Sequence, residues 1–405
     1  MLYSAAGRLR LVLITTTIAL LLALYAIYSR PAQIQALYNS RSTTYDILDD
    51  IANRTLGFQK IFVINLPHRT DLRDAVSLAA AFTELDVEFV DGVVGKEISL
   101  KALPPGGIKA NLSYGGLGNW RAHMNVARMI VEQNLQSALV LENDADWDLR
   151  IKSQMRQFAK ASRLLVQPLQ GTNGTFLDPT NPRPQPTDRP TTFDIRDETL
   201  GPTVKPTTSP YGDLDRWDFL WLGHCGCRFP WARDKNAPLA RAAIFDDETV
   251  PELRHVNIEL GDEQLREQYP AHTRVVSRAR VNSCTLGHAF SQKGARLFLH
   301  ELALRELSDY TDMGFRYMCD GVGGRPLATC LTVQPQLFQH HRPRGLKSSQ
   351  SDIDDHGTEF NEHAETMNVR WSTRINFKRL VAGRTDYIDL YPDGAEEPQW
   401  AEDQP

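Results

Sequence analysis

The chain has 405 residues, of which 41% are hydrophobic and 23% charged, and its formal net charge is −5. The length permits one large core or two smaller ones, and the composition is that of a globular protein. Because there is neither a basic surplus nor an acidic run, the sequence predicts no nucleic-acid partner and no solvating tail.

The first apolar segment, residues 11–28, contains no charged residue. At a helical rise of about 1.5 Å per residue it nearly spans a hydrocarbon core of about 30 Å. Arg8 and Arg10 precede the segment and Arg30 follows it, so the charges only lean toward a cytoplasmic N-terminus. A cleaved signal peptide is the alternative, but no small-residue cleavage pattern follows. We expect residues 1–10 to be a cytoplasmic tail and 11–28 a transmembrane signal anchor.

Three N-glycosylation acceptor patterns, beginning at Asn53, Asn111 and Asn173, agree with a lumenal position for the rest of the chain. The chain ends in Glu-Asp-Gln-Pro, which is no retention tetrapeptide of the usual kind. The sequence therefore favours the Golgi over the endoplasmic reticulum.

The five cysteines are an odd number, so at least one thiol is free or paired between chains. One or two disulfides are permitted, for instance between Cys319 and Cys330. Cys225 and Cys227 lack the usual two-residue zinc spacing and a matching second pair, which excludes a zinc ribbon.

After a polar stem, residues 29–58, predicted strands alternate with predicted helices. The strands are expected at 60–66, 87–90, 137–142, 217–222, within 272–290 and at 328–338, and the helices at 72–85, 118–133 and 291–305, the first capped by Asp71. This alternation is typical of βαβ units, so it predicts an α/β fold with a mostly parallel sheet.

Two stretches fall outside this pattern. Residues 171–212 are rich in Pro, Thr, Asp and Asn, and we expect them to be a mobile insertion without a fold of its own. Residues 346–405 read as a polar C-terminal extension whose last dozen residues are frayed.

An acidic cluster follows the strand at 137–142 directly. The apolar run ends in Glu142 and continues through Asn143, Asp144 and Asp146. Ligands bind beyond the carboxyl ends of strands in open α/β sheets, and carboxylates there suit Mg²⁺ or Mn²⁺ together with phosphates. Asp144 and Asp146 therefore predict a divalent metal that holds a diphosphate. A solvated loop is the alternative.

A second group of candidates follows the last predicted strand. One of His340 and His341 is a candidate third metal ligand, and we assign His341. Arg342 and Arg344 are candidate phosphate contacts, with a solvated basic segment as the alternative. His224, after the strand at 217–222, is a further strand-end candidate.

Several blocks of the chain resemble glycosyltransferase family 25, which includes lipopolysaccharide and collagen galactosyltransferases. These blocks are FVINLPHRTDLR at 62–73, GGLGNWRAH at 115–123, LVLEND at 139–144 and LGHAFSQKGA at 286–295, followed by the isolated Asp320. Their order and spacing agree with the family across residues 60–345, and the chain looks most like the membrane-anchored fungal members.

The resemblance implies a GT-A fold, a single α/β nucleotide-sugar domain over residues 59–345. It also implies inverting transfer of a hexose, with UDP-galactose as the expected UDP-sugar donor and a glycan or glycoprotein as acceptor. The expected protein is a single-pass type II membrane protein of the Golgi with a lumenal catalytic domain.

Site roles follow from the family blocks and the strand-end positions. We expect Asp144, Asp146 and His341 to hold Mn²⁺ or Mg²⁺, Glu142 and Asp320 to be catalytic, and Asn65, Arg69, Arg73, Gly118 and His123 to bind the nucleotide sugar. Each of three residues has a purely structural alternative: an ion pair with a neighbouring helix acid for Arg73, a packed and hydrogen-bonded side chain for His123, and a local backbone hydrogen bond in a turn for Asp320.

Two positions depart from the family pattern. Asn143 replaces the central acid of a Glu-Asp-Asp motif, and Gly116 stands where the family has Glu. A catalytically degenerate sugar- or nucleotide-binding protein with the same fold is therefore the alternative function. A membrane-tethered, metal-dependent phosphohydrolase that uses the same acids is a third.

Overall fold

The computed structural model describes residue 17 and residues 46–258, 260–353 and 357–401. The chain divides into two units, 1–46 and 47–405, and the fold below is that of the second. The predicted cytoplasmic tail and transmembrane segment lie, apart from residue 17, outside the described residues. Within the described residues, no helix has the length and apolar character needed to span a bilayer.

The strands of the described residues alternate with helices along the chain. They are β1 (Lys60–Asn65), β2 (Glu88–Asp91), β3 (Ser137–Glu142), β4 (Ala145–Trp147), β5 (Thr192–Asp194), β6 (Phe219–Gly223), β7 (Gly226–Arg228), β8 (Arg241–Ile244), β9 (Arg274–Arg278), β10 (Arg280–Ser283), β11 (Gly287–Ser291), β12 (Cys330–Gln334), β13 (Phe338–Arg342), β14 (Gly345–Leu346), β15 (Phe360–Asn361) and β16 (Glu365–Thr366).

The helices of the same residues fall mainly between these strands. They are α1 (Thr70–Phe82), α2 (Gly107–Ala110), α3 (Tyr114–Glu132), α4 (Ile151–Val166), α5 (Gln264–Gln268), α6 (Gln292–Leu299), α7 (Thr311–Asp320) and α8 (Phe377–Val381), with 3₁₀ turns at Ile47–Ala52, Gly95–Glu97, Leu100–Ala102 and Lys347–Ser349 and a π-helical turn at His300–Arg305.

One large mixed sheet organises the fold, with the strand order β2-β1-β3-β11-β6-β12-β9-β8-β5. The pairs β1–β2, β1–β3, β6–β12 and β5–β8 are parallel, while β11 runs antiparallel to both of its neighbours. β13 joins the side of this sheet and pairs antiparallel with β4. The predicted α/β class is confirmed, and the carboxyl ends of β1 and β3 meet at one edge.

Helices cover both faces of the sheet, which explains why its central strands are continuous apolar runs. In β3, Leu139 and Leu141 face a core packed by α1 and α4, whereas Ala138 and Val140 face a core packed by α3, α6 and α7. Both cores are rich in buried aromatic side chains, Trp147 and Phe158 in the first and Phe219 in the second.

Several predicted boundaries shift. Helix α1 begins at Thr70 without a side-chain cap, so the prediction that Asp71 caps it is wrong: Asp71 instead accepts hydrogen bonds from Arg69. Helix α3 begins four residues before Gly118, because the hydroxyl of Ser113 accepts a hydrogen bond from the backbone N–H of Gly116 and caps the helix there.

The insertion and the C-terminal extension are both more ordered than the sequence predicts. Residues 192–194 form β5, an edge strand parallel to β8. Asp178 of the insertion is buried and its carboxylate accepts a hydrogen bond from the backbone N–H of Ala240. Residues 366–376 pack on β4 through buried hydrogen bonds of Thr366 and Ser372.

Two disulfides are present, Cys225–Cys284 and Cys319–Cys330. The second is the pair that the sequence offered as an example. Cys227 remains a buried free thiol.

Candidate active site at the carboxyl end of β3

Glu142 ends β3 and is held in place by three side chains. Asn119 and His123, one turn apart on the same face of α3, direct Nδ2 and Nε2 at Glu142 Oε1 over 3.4 and 3.2 Å. The hydroxyl of Thr285 donates to the same oxygen over 2.6 Å. Burial raises the pKa of Glu142, but the hydrogen bond and charge of His123, the hydrogen bond of Thr285 and the charge of His340 outweigh it and lower the pKa to about 2. The carboxylate is therefore ionised at any physiological pH.

Asp144 lies in the turn between β3 and β4 and joins Glu142 in a group of metal-ligand type. Ligand atoms of Glu142, Asp144 and His340 all lie within 4.8 Å of one another. His340 reaches this group because β13 pairs with β4, which places its Nε2 3.6 Å from Asp144 Oδ2. Arg342 donates to the same carboxylate oxygen over 2.9 Å. Two carboxylates and an imidazole form a donor set that divalent cations accept.

Asp146 has a different environment, although it belongs to the same sequence motif. Its side chain is 0% exposed. It accepts hydrogen bonds from the hydroxyls of Thr366 and Ser372 and from the backbone N–H groups of Trp147 and Arg374. Because both oxygens accept hydrogen bonds from this shell, the structure does not bring Asp146 into the group formed by Asp144.

His340 and His341 lie on opposite sides of β13, as successive strand residues do. Nδ1 of His341 is 3.1 Å from Thr366 Oγ1 and 3.8 Å from Asp146 Oδ2. Burial lowers the pKa of His341 to about 4, against the opposing charge of Asp146. The geometry therefore favours His340, rather than the predicted His341, as the histidine beside Glu142 and Asp144.

A cleft of ≈ 370 Å³ adjoins this group, and we call it the β3 cleft. It is lined by Arg69, Asp71, Leu72, Asp144, His341, Pro343 and residues 348–352. Asp144 thus belongs both to the possible metal-binding group and to the wall of the cleft.

Arg69 is the cation of the β3 cleft. It donates to both oxygens of Asp71, over 3.0 and 2.8 Å, and to Asp352 Oδ2 over 2.5 Å. The bond to Asp71 raises the pKa of Arg69, with Asp352 adding to it against burial. Arg374, buried behind the cleft, donates to the carbonyl of Asn143 over 2.7 Å. The lining sets the guanidinium of Arg69 against the carboxylates of Asp71, Asp144 and Asp352, so a diphosphate there would need a bound cation in addition to Arg69.

Other residues predicted to bind the nucleotide sugar serve the frame of the site. Asn65 is buried and accepts a hydrogen bond from Asn143 Nδ2 over 2.9 Å, which ties the ends of β1 and β3 together. Arg73 is exposed and stacks over the Phe89 ring at 4.3 Å, so the structure does not bring it to the β3 cleft. Gly118 lets α3 approach the loop after β2, because a Cβ there would lie 2.3 Å from the carbonyl oxygen of Val93.

Asp320 ends α7 and is not among the residues around Glu142. Its Oδ1 accepts from the backbone N–H of Val281 over 3.3 Å and lies 3.6 Å from Arg280 Nη1, while Arg316 approaches Oδ2. Burial raises the pKa of Asp320 against these cations. His224 is buried and lies 2.9 Å from the carbonyl oxygen of Val333, also away from the group.

Both departures from the family pattern have a structural partner. The amide of Asn143 is engaged by Asn65, as described above. At Gly116 a Cβ would lie 2.5 Å from the ring of Tyr310, so this ring occupies the space of a larger side chain. The chain therefore fills both positions with packing that suits the residue present.

Sequence reasoning missed the residues that orient the site. Thr285 and Asn119 hold Glu142, and Thr366, Ser372 and Arg374 surround Asp146. The partners of Asp146 lie 220 to 228 residues away along the chain. No local pattern could have indicated them.

Comparison with known proteins agrees with the resemblance stated from the sequence. Residues 58–180 match the profile described as "Glycosyltransferase family 25 (LPS biosynthesis protein)". This range contains Glu142, Asp144 and Arg69, but not His340.

Similar proteins include procollagen galactosyltransferase 1-B of Xenopus laevis, which is 29% identical over 112 residues, 25% of this chain and 18% of that protein. Procollagen galactosyltransferase 2 of Homo sapiens is 27% identical over 111 residues, 25% of this chain and 18% of that protein. A glycosyltransferase 25 family member of Anopheles gambiae is 31% identical over 106 residues, 24% of this chain and 18% of that protein. The chain thus spans less than a fifth of the length of these relatives.

Proposed function

Because residues 58–180 carry a glycosyltransferase family 25 domain, we propose that this chain transfers a hexose, in the first instance galactose, from a UDP-sugar to a glycan or glycoprotein hydroxyl. One observation carries the proposal. Asp144 is shared between a metal-ligand group, with Glu142 and His340, and a ≈ 370 Å³ cleft that also holds Arg69. Transfer from a nucleotide sugar needs this combination, since cations must neutralise the departing diphosphate next to the reacting sugar.

The donor set fits a divalent cation that accepts both oxygen and nitrogen. Carboxylate ligands suit Mn²⁺ and Mg²⁺, and Mg²⁺ has the stronger preference for oxygen alone. We therefore propose Glu142, Asp144 and His340 as Mn²⁺ ligands, in place of the set Asp144, Asp146 and His341. When bound, the metal supplies positive charge to the diphosphate.

The residues of this chain prepare that metal site before the ligand arrives. Thr285 and His123 keep the Glu142 carboxylate ionised and oriented. A carboxylate with a pKa of about 2 is a weak proton acceptor at neutral pH. Glu142 thus suits metal binding better than the role of general base. Asp320 lies at the end of α7, away from Glu142, so a catalytic role for it requires part of the acceptor to reach α7.

Arg69 would meet the diphosphate within the β3 cleft. Its guanidinium is held by Asp71 and by Asp352. A diphosphate that displaces Asp352 would exchange one ion pair for another at the same guanidinium, so binding would not leave the charge unpaired. The segment at 348–352, which lines the cleft and contains Asp352, would then move when the donor binds.

Placement in the secretory pathway is part of the proposal. Two disulfides are expected in an oxidising compartment, and residues 11–28 have the composition of a membrane anchor. Both features support a type II protein with a lumenal catalytic domain in the secretory pathway.

The test uses the purified full chain with a panel of UDP-sugars, with and without Mn²⁺, first by thermal shift and then by release of UDP in the presence of acceptor peptides and glycans. We expect a metal-dependent rise of the midpoint with UDP-galactose, and UDP release that depends on the acceptor. Asp144→Asn and His340→Ala should lose both signals, while Asp86→Asn, an exposed acid outside the cleft, should retain them.

Other outcomes separate the alternatives. Metal-dependent binding without turnover for any acceptor would select the degenerate binding protein. Release of phosphate from simple esters would select the phosphohydrolase. If Asp144→Asn and His340→Ala kept full turnover, the proposed metal group would be wrong.

A further inference from the structure

The structure has a second cavity, apart from the β3 cleft. Its volume is ≈ 360 Å³, and its walls come from the 171–212 insertion, from β9 and β10 and from the segment around β12. Its lining residues include four arginines, Arg183, Arg216, Arg278 and Arg280, and we call it the arginine pocket. It shares no lining residue with the β3 cleft.

Arg278 is the buried cation of this pocket. Its side chain is 9% exposed, and its Nε has no hydrogen-bond partner. Within the described residues its guanidinium makes no hydrogen bond, and no carboxylate comes within 4.0 Å. Burial lowers the pKa of Arg278 to about 10, with Asp178 and Asp218 opposing this from farther away, so the group stays charged at neutral pH.

Arg216 and Arg183 add positive charge to the pocket that no described acid neutralises by an ion pair. Arg216 is half-buried and lies over the Phe176 ring at 5.9 Å. Arg183 is exposed on the insertion. Neither has an ion pair with a described residue, and the only acid among the described lining residues is Asp215. The lining thus carries a local positive surplus in a chain whose net charge is −5.

Arg280 lines the same pocket but, unlike Arg278, its guanidinium is bound by protein groups. Its Nε donates to Asp234 Oδ2 over 2.5 Å, and its Nη1 donates to the carbonyls of Ala279 and Cys319. Arg280 is therefore fully engaged with protein groups. Arg278, two residues earlier, has no such partners and lines the cavity instead.

A buried guanidinium without a partner costs free energy, and an anion in the cavity would remove that cost. The volume suits a small ligand, and Phe176, Leu327 and Ala328 supply an apolar wall. We propose that the arginine pocket binds a small organic anion, whose phosphate or carboxylate pairs with Arg278 and Arg216. This site is independent of the proposed transfer reaction.

The experiment titrates the full chain, in EDTA, with glucose 6-phosphate, glucuronate and glucose by calorimetry. The two acids separate a phosphate ligand from a carboxylate ligand, and glucose reports binding without charge. We expect at least one acid to bind and glucose not to bind. Arg278→Met and Arg216→Gln should each weaken the binding of that acid at least ten-fold, since each removes one guanidinium.

Two controls and a third variant of the pocket locate the effect. Arg69→Gln removes the cation of the β3 cleft and should leave the affinity within two-fold. Arg128→Gln, an exposed arginine on α3, should do the same. Arg183→Gln changes only an exposed side chain, so it folds even if Arg278→Met does not, and it should weaken binding at least two-fold.

Two results would overturn the proposal. One is the absence of binding for both acids at millimolar concentration. The other is binding that Arg278→Met, Arg216→Gln and Arg183→Gln leave unchanged, or that Arg69→Gln abolishes.

Discussion

The Asp146→Asn substitution separates the two acids of the Asp-x-Asp motif. The structure places Asp146 in a buried shell and Asp144 at the metal-ligand group. The matched variant is therefore Asp144→Asn, which makes the same chemical change two residues earlier. We expect Asp146→Asn to lower the free energy of unfolding, and Asp144→Asn to lower donor binding with little effect on stability.

The magnitude follows from the hydrogen bonds. An asparagine at 146 can still accept from the two backbone N–H groups, but its NH₂ replaces the oxygen that accepts from Thr366 and Ser372. A hydrogen bond to a charged group contributes about 1.5–3 kcal/mol, and rotation of the hydroxyls would restore about 1 kcal/mol each. For the two hydroxyls together, the net loss is then about 1–4 kcal/mol. Asp144 makes a partly exposed pair with Arg342, whose loss costs at most about 1 kcal/mol.

The assay is urea unfolding of both full-length variants by circular dichroism, combined with a UDP-galactose thermal shift in Mn²⁺. If the two variants differed in unfolding free energy by less than about 0.5 kcal/mol, Asp146 would not be the structural acid inferred here. If Asp144→Asn bound the donor as the wild type does, Asp144 would not belong to the donor site.

Three further predictions concern the stability of the fold. Replacing Cys225 and Cys284 together by Ala should lower the free energy of unfolding by about 4 kcal/mol, because the disulfide closes a loop with a sequence separation of 59. Urea unfolding measures this loss, and an unchanged free energy of unfolding would contradict the prediction. Gly118→Ala should cost about 1–3 kcal/mol, since the new Cβ would lie 2.3 Å from the carbonyl of Val93, and a thermal midpoint equal to that of the wild type would refute the close approach. Burial lowers the pKa of His224 to about 4, whereas the unfolded chain protonates near 6.5. The free energy of unfolding should therefore fall as the pH drops from 6.5 toward 4, by about 2 kcal/mol at pH 5. When unfolding is measured at pH 8 and at pH 5, this decrease should be smaller in His224→Gln than in the wild type.

Part of the fold could be predicted from local pattern. The middle of β3, residues 138–141, is apolar because both faces of the sheet are covered, and the strand was expected at the residues where it occurs. The start of α3 was misplaced because Ser113 caps the helix, which therefore begins at Tyr114, four residues before the predicted glycine. The edge strand β5 was missed because its single pairing with β8 has no counterpart in the polar composition of the insertion.

The sequence by itself determined the resemblance to glycosyltransferase family 25 and where the candidate site was sought. An apolar strand that runs into Glu142 and Asp144 puts carboxylates at a sheet edge whatever else the chain does. This holds because side-chain burial and strand direction are local properties of those residues.

Tertiary structure alone decided which residues of each motif meet. Asp144 and His340 come together through the pairing of β4 with β13, whereas Asp146 is enclosed by Ser372 and its neighbours from the C-terminal segment. Both choices depend on contacts between segments about 200 residues apart along the chain. Two identical carboxylates in one short motif carry no sequence signal that distinguishes a metal ligand from a buried hydrogen-bond acceptor, because the difference lies in the partners that folding brings to each.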